Sequence, residues 1–171
     1  MKTNQRFNWA VSVLDIAPSD NVLELGCGVG FAVSLIAPLL EKGTITAIDK
    51  SDSMVQKAME RNRAFIKTKK AQVLKRALLA LKPGPQGYNK IFAFNVNVFW
   101  TTSAAKELAI IRQHLARKGT LYLFYQPPST GGMKRICETV RQNLAQEQFK
   151  VKEILFEESP AIASCCIVAS L

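Results

Sequence analysis

Residues 22–30 read VLELGCGVG. An apolar run carrying one acid enters glycines at 26, 28 and 30. Such a run reads as a buried strand ending in a tight turn. Glycine has no Cβ, so these positions either let another molecule approach the backbone or let the chain adopt a left-handed conformation. Three alternating glycines cost chain entropy on folding, which argues for a ligand rather than a bare turn.

On either side of this stretch the pattern alternates between strand and helix. Phe7, Val11 and Leu14 at helical spacing predict a leading helix within 7–16. FAVSLIAPLL (31–40) reads as a helix ended by Gly43, and TITAID (44–49) as a second strand. In 53–66, Val55, Met59, Asn62 and Ile66 share one stripe, with Met54, Ala58 and Phe65 beside it. AQVLK (71–75) is a third strand, KPGPQGYN (82–89) a loop and KIFAFNV (90–96) a fourth strand. Ala104, Leu108, Ile111 and Leu115 mark a helix, GTLYLFY (119–125) a fifth strand, and QPPSTGG (126–132) a breaker. Ile136, Val140 and Leu144 mark a last helix. FKVKEILFE (149–157) and AIASCCIVASL (161–171) close the chain as two strands split at Ser159-Pro160. This alternation predicts an α/β fold: a mostly parallel seven-stranded sheet, helices on both faces and an antiparallel C-terminal edge hairpin. No boundary divides residues 1–171, which read as a single domain.

With 48% apolar and 21% charged residues, the 171-residue chain is neither disordered nor fibrous. Its apolar runs fall short of the roughly 20 residues a membrane span needs, and MKTNQRFNWA has no signal-peptide core. Cys27, Cys137, Cys165 and Cys166 form no CxxC pair and no ligand spacing. The expectation is a reduced, cytoplasmic protein without a disulfide framework or metal site. Net charge is +10, and Lys57–Arg76 holds eight basic residues against one acid, Glu60. This face either binds a polyanion or is simply solvated. It lacks aromatic residues to stack on bases, so only weak, non-specific binding is expected.

A ligand on the glycines falls into one of two classes. The dinucleotide fingerprint GxGxxG fits Gly26 and Gly28 but meets Phe31 at its third glycine. The pattern acid-x-GxGxG fits throughout, from Glu24 to Gly30. Together with ITAIDKSDSMVQKA, YNKIFAFNVNVFW and IRQHLARKGTLYLFYQPP, the stretch LDIAPSDNVLELGCGVGFAV resembles the class I S-adenosylmethionine-dependent methyltransferases, in particular the compact bacterial members that act on small molecules. The resemblance covers nearly the whole chain and implies a Rossmann-like sheet with S-adenosyl-L-methionine as cofactor. It implies that Gly26, Cys27 and Gly28 let the backbone touch the methionine half and that Glu24 organises the amino group. It further implies that Asp49, 23 residues after Gly26, accepts from both ribose hydroxyls. Asp49 can alternatively cap the helix beginning near Ser51. Lys50 and Met54 would flank the adenosine, and Asn95 would lie near the transferable methyl.

The chain also departs from that family. The acid that often contacts adenine is replaced by Ala77, leaving only backbone there. Asn89 stands where an acid often opens the fourth strand, and Arg117-Lys118-Gly119 where Pro-Gly-Gly is usual. About twenty residues precede the glycine strand, and the 127–132 segment, a place for a lid, is brief. Methyl transfer needs alignment first and a base only if the acceptor must lose a proton. The only histidine, His114, lies beside an apolar stripe and reads as packing rather than base. Phe99, Trp100 and Tyr125 can wall an acceptor pocket or belong to the core. No catalytic residue is assigned. Three functions follow: a small-molecule methyltransferase, an RNA methyltransferase using the 57–76 face, or a non-catalytic cofactor-binding protein of the same fold.

Overall fold

A computed structural model of the chain describes residues 2–82, 84, 87–127, 130–157 and 164–171. In chain order, α1 is Lys2–Leu14, β1 Asn21–Leu25, α2 Phe31–Ile36, β2 Thr44–Asp49, α3 Asp52–Arg61, α4 Arg63–Lys67 and β3 Ala71–Lys75. There follow β4 Tyr88–Phe94, α5 Val98–Thr101, α6 Ala105–His114, β5 Leu115–Tyr125, α7 Thr130–Gln146, β6 Lys150–Glu157 and β7 Ser164–Ser170. The strands form one seven-stranded sheet in the order β3-β2-β1-β4-β5-β7-β6. β1 pairs in parallel with β2 and β4, β2 with β3, and β4 with β5. β7 is antiparallel to both β5 and β6, so the closing hairpin inserts its second strand inward and leaves β6 at the edge. The Ser159-Pro160 break lies outside the described residues.

The first three strands have the boundaries their sequences predict. Side chains on a strand alternate between faces. Leu23 and Leu25 of β1 join the cluster under α6 and α7, with Leu108, Ile111, Val140 and Leu144. Val22 faces the opposite cluster, formed by α1, α2 and α3 with Phe92 and Phe124. Burying one such aliphatic side chain is worth about 2 kcal/mol. Glu24 shares the face of Val22 and is 2% exposed, a carboxylate where the pattern offers a core position.

The other elements are adjusted for local reasons. The 31–40 helix is α only to Ile36, then tightens to a 3₁₀ turn, Ala37–Leu39, because Pro38 has no amide to continue the ladder. The 53–66 stripe is two helices joined at Asn62; Met59 is 45% exposed, so the buried stripe is Val55, Ala58 and Asn62. β4 begins and ends two residues earlier than its apolar run, because Asn95 takes φ +55° and turns the chain out of the sheet. β5 starts at Leu115 instead of Gly119, across an irregularity at Tyr88/Lys90 in its pairing with β4. Arg117-Lys118-Gly119 is thus strand, and Asn89 Oδ1 accepts from the Asn21 amide at 2.8 Å, tying β4 to β1. Gly43 serves packing, since a Cβ there would lie 2.1 Å from the Asp20 carbonyl oxygen. All four cysteines are free and buried. Among the described residues no helix is long and apolar enough to cross a membrane.

Candidate functional site

The carboxyl ends of β1, β2 and β4 meet at the point where strand order reverses, and the glycine turn lies over them. Gly26, Gly28 and Gly30 all take positive φ, of 69°, 53° and 72°. Their surroundings differ. A Cβ on Gly30 would lie 2.6 Å from Asn62 Nδ2 and 2.9 Å from the Ala58 Cβ, whereas one on Gly28 would meet nothing within 4 Å. Gly30 is a packing glycine and Gly28 borders open space.

Asn62 explains that contact. Its buried Nδ2 donates to the Gly30 carbonyl and to the Ala58 carbonyl, both at 2.9 Å, so the residue that separates α3 from α4 also clamps the turn. Arg61 adds a second clamp: Nε donates to the Val29 carbonyl at 3.0 Å and the guanidinium lies 3.8 Å from the Phe31 ring centroid. Phe31, which breaks the dinucleotide fingerprint, is therefore a stacking partner. Neither Asn62 nor Arg61 was expected at this site. Asn62 reads as a stripe position and Arg61 as one charge in a basic run, and nothing in their spacing marks them.

The amides of the turn are occupied. Gly26 and Cys27 both donate to the Ile48 carbonyl, at 2.8 and 3.0 Å. Gly28 donates to Asp49 Oδ2 at 2.9 Å, and Gly30 to the Cys27 carbonyl at 2.9 Å. A phosphate-binding turn must aim free N–H groups at its ligand, and these four are spent on Cys27, Ile48 and Asp49. What borders the open space beside the turn is acidic instead. Glu24 Oε2 is buried with no hydrogen-bond partner. Burial, reinforced by the charge of Asp49, pushes the Glu24 carboxyl up to about 8. Asp49 Oδ1 accepts from the Ser51 amide at 2.8 Å. Asp49 thus bonds the amides of Gly28 and Ser51 at the entry to α3, and a carboxylate with two bonds made keeps lone pairs for two more.

Three adjoining cavities share Asn95. One, of about 250 Å³, is bounded by Glu24, Gly26, Cys27, Gly28, Arg6 and Phe94. A second, of about 560 Å³, is bounded by Asp49, Lys50, Arg76, Ala77, Leu78, Val96 and Val98. The third, of about 470 Å³, is bounded by Asn97, Trp100, Tyr125, Gln126, Arg135 and Ile136. The eight residues the sequence selects thus surround contiguous space. Met54 is not among the lining residues. The Asn95 amide is partly committed, its Oδ1 accepting from the Gln126 amide at 2.9 Å. Phe99, 1% exposed, belongs to the core, while Trp100 and Tyr125 line the third cavity. His114 is buried at the end of α6, its Nδ1 against the Ile110 carbonyl at 2.7 Å, and borders none of the three.

A methyltransferase-domain family model matches residues 22–119, more than half of the chain. The chain belongs to the methyltransferase-domain family. S-adenosylmethionine is the methyl donor of that family. A malonyl-[acyl-carrier protein] O-methyltransferase of Bacillus cereus is 30% identical over 103 residues, which are 60% of this chain and 36% of that protein. Its Bacillus cytotoxicus counterpart is 27% identical over 105 residues, 61% of this chain and 35% of that protein. The chain thus spans about a third of the length of these curated relatives. Among solved structures, a S-adenosylmethionine-dependent methyltransferase from Aquifex aeolicus matches with TM-score 0.78 and 17% identity over 96% of this chain and 89% of that one. Magnesium protoporphyrin IX methyltransferase from Synechocystis PCC 6803, crystallised with S-adenosylhomocysteine, matches with TM-score 0.75 and 18% identity over 98% of this chain and 82% of that one. At these identities the structures attest the fold, a Rossmann-like methyltransferase sheet.

Proposed function

We propose that residues 1–171 form one domain that binds S-adenosylmethionine between the glycine turn and β4, and transfers its methyl group to a small-molecule acceptor. The observation that carries this reading is the occupied, acid-faced turn. The Gly26, Cys27, Gly28 and Gly30 amides are spent on protein acceptors, and the carboxyl oxygen left without a partner is Glu24 Oε2, which suits an ammonium and not a diphosphate. In this reading Glu24 holds the amino group, Gly26, Cys27 and Gly28 leave room for the chain that bears it, and Asp49 accepts from the ribose. Lys50 and Ala77, with Leu78, flank the adenosine. Asn95, common to all three cavities, lies where the cofactor's methyl meets the acceptor.

The bound sulfonium supplies an activated methyl group. The chain's part is alignment and exclusion of water. Trp100, Tyr125 and Ile136 offer an apolar wall, and Arg135 one cation, to an acceptor in the third cavity. Burial raises the Tyr125 hydroxyl well above its usual range, and that hydroxyl donates to the Val96 carbonyl at 3.4 Å, so it is no base at neutral pH. The acceptor atom must arrive already nucleophilic or lose its proton to solvent. Four buried free thiols suit a reducing compartment such as the cytoplasm. The names of the relatives, which specify malonyl-carrier and magnesium protoporphyrin substrates, support a small-molecule acceptor over RNA. So does the basic stretch: Arg61 holds the glycine turn, Lys70 Nζ donates to the Leu40 carbonyl at 2.7 Å, and Lys75 pairs with Asp52 at 3.1 Å.

The test offers methyl-tritiated S-adenosylmethionine with a bacterial low-mass metabolite pool and, separately, with total RNA. Label is expected in the low-mass fraction. Label in RNA supports the polyanion reading, and cofactor binding without any transfer supports the non-catalytic one.

A further inference from the structure

The third cavity, of about 470 Å³, has three side-chain amides on its border, those of Asn95, Asn97 and Gln126. Each amide oxygen already accepts a bond. Asn95 Oδ1 takes the Gln126 main-chain N–H at 2.9 Å, Asn97 Oδ1 the Trp100 indole N–H at 3.3 Å, and Gln126 Oε1 the Arg6 guanidinium at 3.1 Å. All three donors are groups that cannot accept, so each amide can face only this way. Gln126 Nε2 bonds Ser164 Oγ at 3.2 Å, and the Tyr125 hydroxyl donates to the Val96 carbonyl. The Asn95 and Asn97 Nδ2 groups have no partner among the described residues. Arg135, on α7, is the one charged residue of the described lining, and it makes no ion pair among the described residues. No aspartate, glutamate or histidine belongs to that lining.

The polar groups left over are therefore donors, with one positive charge and no base. This combination selects among methyl acceptors. An amine arrives as an ammonium, which must lose a proton before it can attack, needs acceptors for its N–H groups and is repelled by Arg135. An alcohol, a phenol or a thiol also holds its proton at neutral pH and needs a base. A carboxylate is ionised without help, only accepts hydrogen bonds and is attracted by an arginine.

We propose that the acceptor is the carboxylate of a small apolar acid and the product its methyl ester, with the Asn95 and Asn97 N–H groups holding the carboxylate and Arg135 drawing the anion into the cavity. One carboxylate oxygen attacks the methyl carbon in line with the sulfur. A C–O bond forms, the C–S bond breaks and its electron pair stays on sulfur, which becomes a neutral thioether. No proton moves, as a lining without a base requires. Trp100, Tyr125 and Ile136 take the apolar body of the acid. The assignment rests on the reading above of a cofactor and a small-molecule acceptor, and narrows that acceptor to one functional group.

The experiment takes two readouts from one bacterial low-mass metabolite pool. In the first, the pool is ultrafiltered with wild type or Arg135→Gln, each saturated with S-adenosylhomocysteine. Retained compounds are identified by mass before and after carbodiimide coupling to an amine, which marks carboxylates. Wild type is expected to retain carboxylic acids. Arg135→Gln is expected to retain them at least about tenfold less, as for loss of one charge-assisted contact, with S-adenosylhomocysteine affinity held within about twofold. In the second, label transferred from methyl-tritiated S-adenosylmethionine is treated with mild alkali, which frees methanol from methyl esters and not from methyl ethers, amines or thioethers. The label is expected to become volatile. Alkali-stable label in the low-mass fraction, or retention of amines or neutral compounds in place of acids, overturns the carboxylate assignment and leaves the small-molecule reading standing. Equal retention of acids by both proteins overturns the part given to Arg135. If S-adenosylhomocysteine itself does not bind, the cofactor reading fails and this one with it; if it binds and the pool gives neither retention nor label, this assignment fails and the non-catalytic reading gains.

Discussion

The two ends of the cleft are built by different means. At the glycine end, three residues with positive φ, the Asp49 carboxylate and a buried asparagine fix the backbone, and the buried Glu24 carboxyl is left with an unpartnered oxygen. At the Trp100 end, the lining is neutral amides and aromatic rings with one arginine, and Asn95 and Asn97 are tied to the Gln126 amide and to Trp100. Asn95 joins the ends: its backbone turns β4 outward at φ +55° while its side chain accepts from the Gln126 amide just after β5. The comparison teaches that one end is built by backbone conformation and buried acids and the other by side-chain shape, as the proposed division between a constant cofactor and a particular acceptor requires.

The sharpest way to break this comparison uses two glycines that look alike in sequence. Gly28→Val places a side chain in the open space proposed for the cofactor. Binding of S-adenosylhomocysteine should fall at least about a hundredfold, with a stability cost of about 2 kcal/mol for the left-handed backbone. Gly30→Val meets Asn62 and Ala58 and should cost more in the fold, about 3 kcal/mol or more, from strain plus overpacking. Denaturant melts and titrations of both variants check the pair. If Gly28→Val is the one that unfolds, the distinction between ligand glycine and packing glycine is lost.

Asp49 tests the same end through its charge. Asp49→Ala removes the acceptor for the Gly28 and Ser51 amides as well as the expected ribose contact. Affinity for S-adenosylhomocysteine should fall at least about tenfold, and stability by about 1–3 kcal/mol, since both amides lose a charged partner. Unchanged affinity would put the ribose elsewhere.

Glu24 makes the glycine end sensitive to pH. Its carboxyl sits near 8 in the folded chain against an ordinary 4.5, so the folded state holds a proton that the unfolded state releases between those values. The stability this group contributes is complete below about 4.5 and is lost as pH rises through about 8. Glu24→Gln should therefore gain on wild type across that window, by an amount on the order of 4 kcal/mol at its alkaline end. Binding an ammonium draws the proton off. S-adenosylhomocysteine affinity should then rise severalfold between pH 6.5 and 7.5 in wild type and not in the variant, with proton release seen as a buffer-dependent heat. A pH-independent affinity would remove Glu24 from the ammonium site.

The smallest effect is expected on the outer helix face. Lys57 and Lys67 are exposed and make no ion pair among the described residues. Changing both to Gln should move stability by less than about 0.5 kcal/mol and leave cofactor affinity unchanged. Any RNA binding by wild type should be weak and should disappear with added salt. Tight, sequence-selective RNA binding lost in this variant would move the acceptor from the third cavity to this face.

The sheet was legible because β1, β2 and β3 are continuous apolar or β-branched runs bounded by breakers, and such runs have few alternatives. The β5 start was not, because Arg117 and Lys118 look like loop and lie in the irregularity between the Tyr88–Leu115 and Lys90–Thr120 pairs. Glu24 and Asp49 stood out because an acid beside a glycine turn is conspicuous. Asn62 and Arg61 act across 30 or more residues of sequence and are ordinary at their own positions, so only the folded chain brings them to the turn. Phe99 and Trp100 show the same limit, since adjacent helix residues point to core and to cavity.

The central claim is that the glycine turn receives a cationic, adenosine-bearing amino acid and not a diphosphate. Calorimetric titration of the wild-type chain with S-adenosylhomocysteine and with NAD tests it most directly. The account predicts one site for S-adenosylhomocysteine at micromolar concentration and no heat with NAD. Micromolar NAD binding without S-adenosylhomocysteine binding would contradict it.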